Sequence, residues 1–268
     1  MRSRLTVALG RTARLAARVR GGGSGGTAFP GLVMERTDPG FLARTLGALP
    51  HGVIVVSGTN GKTTTTKMVV QLLREQGLKV FTNRTGSNFV RGVLASLLTE
   101  VDAAGNLDAD IAVLELDEAH AVHFVARVRP RACLLLNVMR DQLDRFGEID
   151  YTASLLHSIA QATSDVVVLN GDDPRLAAPA FLEGVSARVV SFGAGEDLRS
   201  LFLSDDDLRT GLVSPRQAGQ APGPRVTLEA IDGQRATVRV DGVSHEVSFA
   251  IPGVHNLLNA CAALGVVL

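Results

Sequence analysis

The apolar run Val53-Ile54-Val55-Val56-Ser57 stops at Gly58-Thr59-Asn60-Gly61-Lys62-Thr63-Thr64, and a helix-forming segment, Lys67 to Gln76, follows at once. An unbroken stretch of β-branched residues specifies a strand buried on both faces. The order is therefore strand, glycine-bracketed turn, helix, which limits the chain to folds where a buried strand feeds a covering helix through a tight loop. Gly58 and Gly61 let backbone N–H groups turn inward around an anion, Lys62 adds a mobile positive charge, and the Thr63 hydroxyl can ligate Mg²⁺. Phosphate would sit on the helix N-terminus, with Thr59, Asn60 and Thr64 completing the loop. The general Walker pattern has its first glycine where this chain has Val56, so the hexamer Gly-Thr-Asn-Gly-Lys-Thr carries the reading instead.

From Val53 onward, strand and helix patterns alternate, which predicts an α/β fold with a parallel sheet covered by helices. The candidate strands are Val53 to Ser57, Val80 to Thr82, Ile111 to Leu116, Ala132 to Asn137, Val166 to Asn170 and Arg188 to Phe192. Helical segments fill the gaps at Lys67 to Gln76, Phe89 to Thr99, Ala119 to Val128 and Tyr151 to Ala162. In such sheets ligands bind beyond the carboxyl ends of the strands, so the polar residues there are the ones to read for chemistry. Residues 194–224 are acidic and then rich in proline and glycine, a surface excursion. Arg225 to Phe249 alternates apolar and polar residues around Asp232-Gly233 and Asp241-Gly242, which predicts a small antiparallel β meander. Pro252 to Asn259 opens a helix that is still apolar at Leu268, so the sequence is expected to be the front part of a longer architecture.

Before Val53 the composition differs. Residues 1–20 hold six arginines and no acid, with Leu5, Leu9, Ala13 and Ala16 at near-helical spacing. This predicts a basic amphipathic helix that either lies on an anionic membrane surface or packs on the domain. Gly21 to Gly26 is a flexible joint or a glycine-rich loop near a ligand. Residues 27–50 form a lead-in with one helix at Phe41 to Leu49. The chain thus divides into a lead-in, 1–50, and a nucleotide-type domain, 51–268. With 268 residues, 46% of them apolar, the chain can bury a sizeable core. Its zero net charge gives no electrostatic case for nucleic acid. Cys133 and Cys261, both in apolar runs, read as core fillers, and two lone thiols with no signal-peptide or membrane-span pattern point to the cytoplasm.

At the strand ends, Glu115 closes a buried run and faces the phosphate loop, where a carboxylate can hold Mg²⁺; Asp117 and Glu118 face substrate or cap a helix. Thr82 to Asn88 is a second possible anion or metal site. Within Asn137 to Gly147, Asp141 and Arg145 either form an internal ion pair or touch substrate. Asn170-Gly171-Asp172-Asp173 is a structural turn or a nucleotide contact. His255, Asn256 and Asn259 lie at a helix start, where an Asn amide pairs with an adenine edge or merely caps the helix.

Gly58 to Thr64, Glu115, Asn137 to Gly147, Asn170 to Asp173 and Gly253 to Asn259, in that order, resemble the Mur ligase family, ATP-dependent enzymes that form peptide bonds on peptidoglycan precursors. Gly25 to Val33, Thr82 to Gly92 and Arg140 to Arg145 are similar to its MurT branch, the synthetase subunit of lipid II isoglutaminyl synthase. The resemblance implies a Mur-ligase central ATPase domain with ATP and Mg²⁺ as cofactors. Lys62 and Glu115 would be catalytic, Thr63 and Glu115 metal ligands, and Asn256 and Asn259 nucleotide contacts. The implied reaction activates the D-glutamate α-carboxylate of lipid II, at the membrane surface, as an acyl phosphate. A GatD-like glutaminase partner then supplies ammonia, giving D-isoglutamine. A C-terminal domain past Leu268 is also implied. Some relatives carry a four-cysteine zinc ribbon; residues 194–224 have no cysteine, so zinc is not expected. Amino-acid-adding relatives use a carbamylated lysine, and no lysine follows Lys79. The alternatives are an amino-acid-adding Mur or folylpolyglutamate-type ligase and an inactive ATP-binding scaffold.

Overall fold

The protein is described by a computed structural model over residues 2–19, 28–83, 87–140, 148–211, 221–249 and 252–268. Among these residues one sheet holds β1 (Val53–Ser57), β2 (Val80–Thr82), β3 (Ile111–Glu115), β4 (Ala132–Leu135), β5 (Val166–Asn170), β6 (Arg188–Ala194), β7 (Val226–Asp232), β8 (Arg235–Val240) and β9 (Val243–Ser248). The strands run side by side in the order β2-β3-β1-β4-β5-β6-β7-β8-β9. Every pairing from β2 across to β7 is parallel, and β7-β8-β9 is an antiparallel meander. The meander is therefore no separate unit: β7 pairs with β6 through Phe192 opposite Val226 and carries the main sheet onward. Its turns use left-handed residues at Gly233, Asp241 and Gly242, as the sequence pattern expects.

The six apolar strands stand where their sequences put them, and each feeds residues to opposite cores by alternation. Val53 and Val55 of β1 join Ala112, Leu114, Cys133, Leu135, Val167 and Leu169 in one core. Ile54 and Val56 join Val113, Leu134 and Val168 in the other. The second core is closed by α4 (Lys62–Glu75) and α10 (Val254–Val267), through Val69, Leu73, Leu257, Cys261 and Ala262. The first is closed by α5 (Val90–Glu100), α6 (Glu118–Val125) and α7 (Glu148–Ala162), and by the short α8 (Pro179–Leu182). Both cysteines are buried, and desolvation pushes each thiol up to about 12, which leaves them inert core fillers.

Ahead of β1 lie α1 (Arg2–Val19), α2 (Ala28–Thr37) and α3 (Phe41–Gly47). Helix α2 was not expected from a segment carrying Pro30, but a proline in the first turn removes no helical hydrogen bond. Met34, Phe41, Leu42, Leu46 and Leu49 enter the first core. Helix α1 forms as expected, yet it buries Thr6, Val7, Gly10 and Ala13 while Leu5 and Leu9 face outward. The reason is close approach: a Cβ on Gly10 would lie 2.9 Å from Met34 Cγ and 3.0 Å from Leu98 Cδ1. Small residues select the packed face. Residues 20–27, the glycine joint among them, lie outside the described residues.

Gly31 of α2 meets α5 even more closely, since a Cβ there would fall 2.0 Å from the Arg91 carbonyl oxygen. Gly31→Ala is expected to destabilise by about 1–3 kcal/mol, the usual cost of overpacking. Gly47→Ala, at an exposed helix end with nothing within 4 Å, should instead be neutral or stabilising by up to about 1 kcal/mol. Urea unfolding of both variants checks the contrast.

Candidate active site

Strand β1 has β3 on one side and β4 on the other, and the chain leaves it first toward β2 and later toward β4. The loop after β1 thus opens at the point where the strand order reverses, the preferred ligand position in such sheets. Gly58 has φ +129 and Gly61 φ +85, conformations that side chains resist. Gly61 ends the loop and sets Lys62 into helix, so α4 starts there and not at Lys67. The first α4 amide with a helical acceptor is that of Thr65, 2.9 Å from the Gly61 carbonyl. Those of Lys62, Thr63 and Thr64 precede it and form the positive end of the helix dipole.

The outer edge of the loop is held by Asn137, just past β4. Its backbone carbonyl accepts from Thr59 N (3.0 Å), its side-chain oxygen accepts from Asn60 N (2.8 Å), and its amide donates to the Asn60 carbonyl (3.1 Å). Met139 N donates to Thr59 Oγ1 at 3.0 Å. A Cβ on Gly58 would come within 3.0 Å of Asn137 N, so the glycine also makes this contact possible. The sequence flags Asn137 only as a strand-end polar residue.

Thr63 and Glu115 meet. Glu115 lies opposite Val56 in the register, and its Oε1 accepts from the Thr63 hydroxyl at 2.7 Å. The Glu115 backbone is itself gripped by Asn83, whose Oδ1 accepts from Glu115 N (2.9 Å) and whose Nδ2 donates to the Glu115 carbonyl (2.8 Å) and to that of Ser87 (2.9 Å). Asn83 thus positions a carboxylate; residues 84–86 of that stretch lie outside the described residues. A hydroxyl and a carboxylate are hard oxygen donors of the kind Mg²⁺ prefers. The donor set fits that ion. Lys62 Nζ donates to the carbonyls of Gly58 and Thr59 and faces Asp117 at 3.6 Å and Glu118 at 3.7 Å. Asp117 caps α6 by backbone position alone, with no side-chain cap bond.

Besides a cavity of about 630 Å³ along Thr63, Asn83 and Glu115, two others flank the loop. One, of about 370 Å³, has apolar walls from Leu136, Phe192, Phe202 and Leu258 with the amides of Asn170 and Asn259 at its edge. A Cβ on Gly61 would lie 2.8 Å from Asn259 Oδ1, which places Asn259 directly against the loop. Asn256 does not line this cavity: its amide donates to the Pro252 carbonyl at 2.7 Å, on its own helix start. The two asparagines expected together are therefore separated by helix rotation. Phe202 stacks edge-on with His255 at 5.8 Å. It comes from the segment expected to be a surface excursion, whose described residues form a 3-10 turn over Glu196–Leu201 and the capped helix α9 (Asp205–Thr210); residues 212–220 lie outside the described residues. The other cavity, of about 460 Å³, is lined by Thr59, Lys62, Asp117, Glu118, Glu148 and Thr152.

The Asn170-Gly171-Asp172-Asp173 turn is a brace. Asp172 accepts from Ala194 N at 2.6 Å and faces the buried Arg199 at 3.6 Å. Asp173 accepts from Val138 N (2.7 Å), Arg175 N (3.0 Å) and Leu176 N (3.2 Å), tying β5 to the segment that carries Asn137 and Met139. Arg140 pairs with Asp205 at 3.4 Å, while Asp141 and Arg145 lie outside the described residues.

The family model for the Mur ligase middle domain matches residues 56–267. The MurT subunit of lipid II isoglutaminyl synthase (glutamine-hydrolyzing) from Streptococcus pneumoniae is 37% identical over 150 residues, 56% of this chain and 33% of the relative. The same subunit from Staphylococcus aureus is 32% identical over 65% of this chain and 38% of its own length. The UDP-N-acetylmuramoylalanine–D-glutamate ligase of Desulfotalea psychrophila is 33% identical over 68% of this chain and 36% of its own. The chain thus spans little more than a third of these relatives. Among solved structures, MurF from Acinetobacter baumannii superposes with TM-score 0.64 at 22% identity, over 88% of this chain and 45% of that one. MurF from Thermotoga maritima in complex with ADP gives TM-score 0.62 at 22% identity, over 85% and 48%. These likenesses establish the fold.

Burial pushes the Asp173 carboxyl up to about 6, against three backbone N–H donors that pull it down. The folded state then binds this proton more tightly than the unfolded chain does, so stability from this group is full below about pH 4 and falls as pH rises to about 6. Asp173→Asn removes that titration. The variant should be about 1–3 kcal/mol less stable through the lost acceptor. The wild-type advantage should shrink from about pH 4 to about pH 6 and stay level above, as read by urea unfolding at several pH values.

Proposed function

The chain belongs to the Mur ligase family, and from that premise we propose that it is the ATP-binding part of a synthetase that amidates the D-glutamate α-carboxylate of lipid II, with ammonia supplied by a GatD-like glutaminase. The observation that carries the catalytic half of this reading is the convergence of Lys62, Thr63 and Glu115 on one phosphate loop. The 37% identity to a MurT subunit supports the amidation half.

The residues have separate tasks. The N–H groups at the start of α4 would receive the nucleotide phosphates, while Asn137 keeps the loop open for them. Asn259, with the apolar walls of the adjoining cavity, would receive the base. Thr63 and Glu115 would hold Mg²⁺, which when bound offsets negative charge on the phosphates. Lys62 would exchange its bonds to the Gly58 and Thr59 carbonyls for bonds to phosphate oxygen, stabilising the charge that develops as the γ-phosphoryl group moves to the carboxylate. The acyl phosphate so formed loses phosphate to ammonia, giving the amide. The cavity beside Lys62, with Asp117, Glu118 and Glu148 on its walls, is where the acceptor would enter.

Addition of an amino acid instead of ammonia is favoured by one observation, the 33% identity to a D-glutamate ligase. The products separate the readings. Lipid II is incubated with ATP, Mg²⁺, amide-labelled glutamine, the glutaminase and the full-length protein, and analysed by mass spectrometry. Label in one new amide is expected; a whole added amino acid would replace the amidation reading, and unchanged lipid II would favour an inactive scaffold.

Two variants test the site. Lys62→Ala should weaken Mg-ATP binding by about tenfold or more, the scale of a lost charge-assisted contact, measured by calorimetry. Glu115→Gln keeps an acceptor for Thr63 but loses the charge; it should unfold at the wild-type temperature and turn over at under about 1% of the wild-type rate. Full turnover would remove Glu115 from the metal site.

A further inference from the structure

Helix α1 packs through one face and leaves the opposite one uncovered. Leu5 is 57% exposed, Leu9 41%, Leu15 61% and Val19 87%. Ala8, Thr12 and Ala16 are exposed with them. At helical spacing these residues fall in one sector of about 120°, outside the buried arc of Thr6, Val7, Gly10 and Ala13. The only polar side chain in it is Thr12, and its hydroxyl is turned back onto the Ala8 carbonyl at 2.9 Å. The outward face therefore offers hydrocarbon along the length of the helix.

Its borders are cationic. Arg4 and Arg11 flank the stripe on one side, both exposed; on the other, the exposed Arg2 faces Asp38 at 3.7 Å. Arg11 also donates to the Val101 carbonyl at 3.0 Å, which fixes α1 to the domain while its long stem lies at the surface. No aspartate or glutamate occurs in residues 1–20. A protein groove would have to match this face with apolar walls and an acidic rim. A bilayer containing anionic lipid supplies both, an acyl interior and a negative surface. No helix among the described residues is long and apolar enough to cross a membrane, so the contact would be in the plane of the interface.

We propose that α1 is a membrane-docking helix that lays Leu5, Leu9, Leu15 and Val19 into the headgroup–acyl boundary of an anionic bilayer, with Arg4 at the lipid phosphates. The full chain is floated with vesicles of phosphatidylcholine containing about a third phosphatidylglycerol, and with vesicles of phosphatidylcholine alone. Binding to the anionic vesicles is expected, weakening as salt is raised. Leu5→Ser with Leu15→Ser should lower partitioning by about tenfold or more, and Arg4→Gln several-fold, with unchanged thermal unfolding because these side chains are exposed. The proposal is overturned if the wild-type chain does not float with anionic vesicles, or if the double serine variant floats equally well. It is also overturned if light scattering finds a dimer that the serine variant abolishes, which would assign the face to a second copy. The vesicles contain no peptidoglycan precursor, so the result stands apart from the proposed reaction.

Discussion

A loop that offers its amides to an anion cannot also hold itself in shape with them. Here the conflict is resolved by division. Thr59 and Asn60 spend their N–H groups on Asn137, on the neighbouring strand, and the amides at the start of α4 remain for the ligand. Asn137 in turn is kept in place by Asp173, which grips Val138 from the end of β5. The carboxylate side is built the same way: Asn83, after β2, reads both backbone groups of Glu115. Glu115 and the loop residues Thr59 and Asn60 are thus each placed by an asparagine from the neighbouring strand end, so the candidate site is a property of the sheet order and not of the loop alone.

That arrangement explains what was legible beforehand. Strands buried on both faces announce themselves as unbroken apolar runs, and β1 to β6 stand at or within a few residues of their expected positions. Gly58 to Thr64 was legible because every residue type in it has a local reason. Asn83, Asn137 and Asp173 were not legible as positioning groups, because their partners lie on other strands and backbone amides leave no trace in residue types. Asn256 and Asn259 look equivalent in sequence, and only the rotation of α10 against α4 turns Asn259 toward Gly61 and Asn256 toward Pro252.

The N-terminal helix shows the limit of periodicity in a different way. Leucines at helical spacing normally mark the buried stripe. In α1 the expected stripe splits: Leu5, Leu9 and Ala16 face outward while Ala13 is buried, and the inward face is chosen by Gly10, small enough for Met34 and Leu98 to approach. Hydrophobicity gives the period of a helix, whereas side-chain volume decides which side can be brought close. Where the two disagree, packing wins, since a leucine at position 10 would force two covering helices apart.

The two cavities beside the loop differ in a way that bears on direction. The one at Asn259 is walled by leucine and phenylalanine with neutral amides, and it can accept a flat heterocycle without burying a charge. The other holds Asp117, Glu118 and Glu148 around Lys62. A carboxylate substrate entering the second cavity meets three acids and one lysine, an unfavourable balance unless cations accompany the phosphates. Under the proposed reaction a carboxylate would enter that cavity only with cations enough to offset both the three acids and the negative charge that nucleotide phosphates themselves bring.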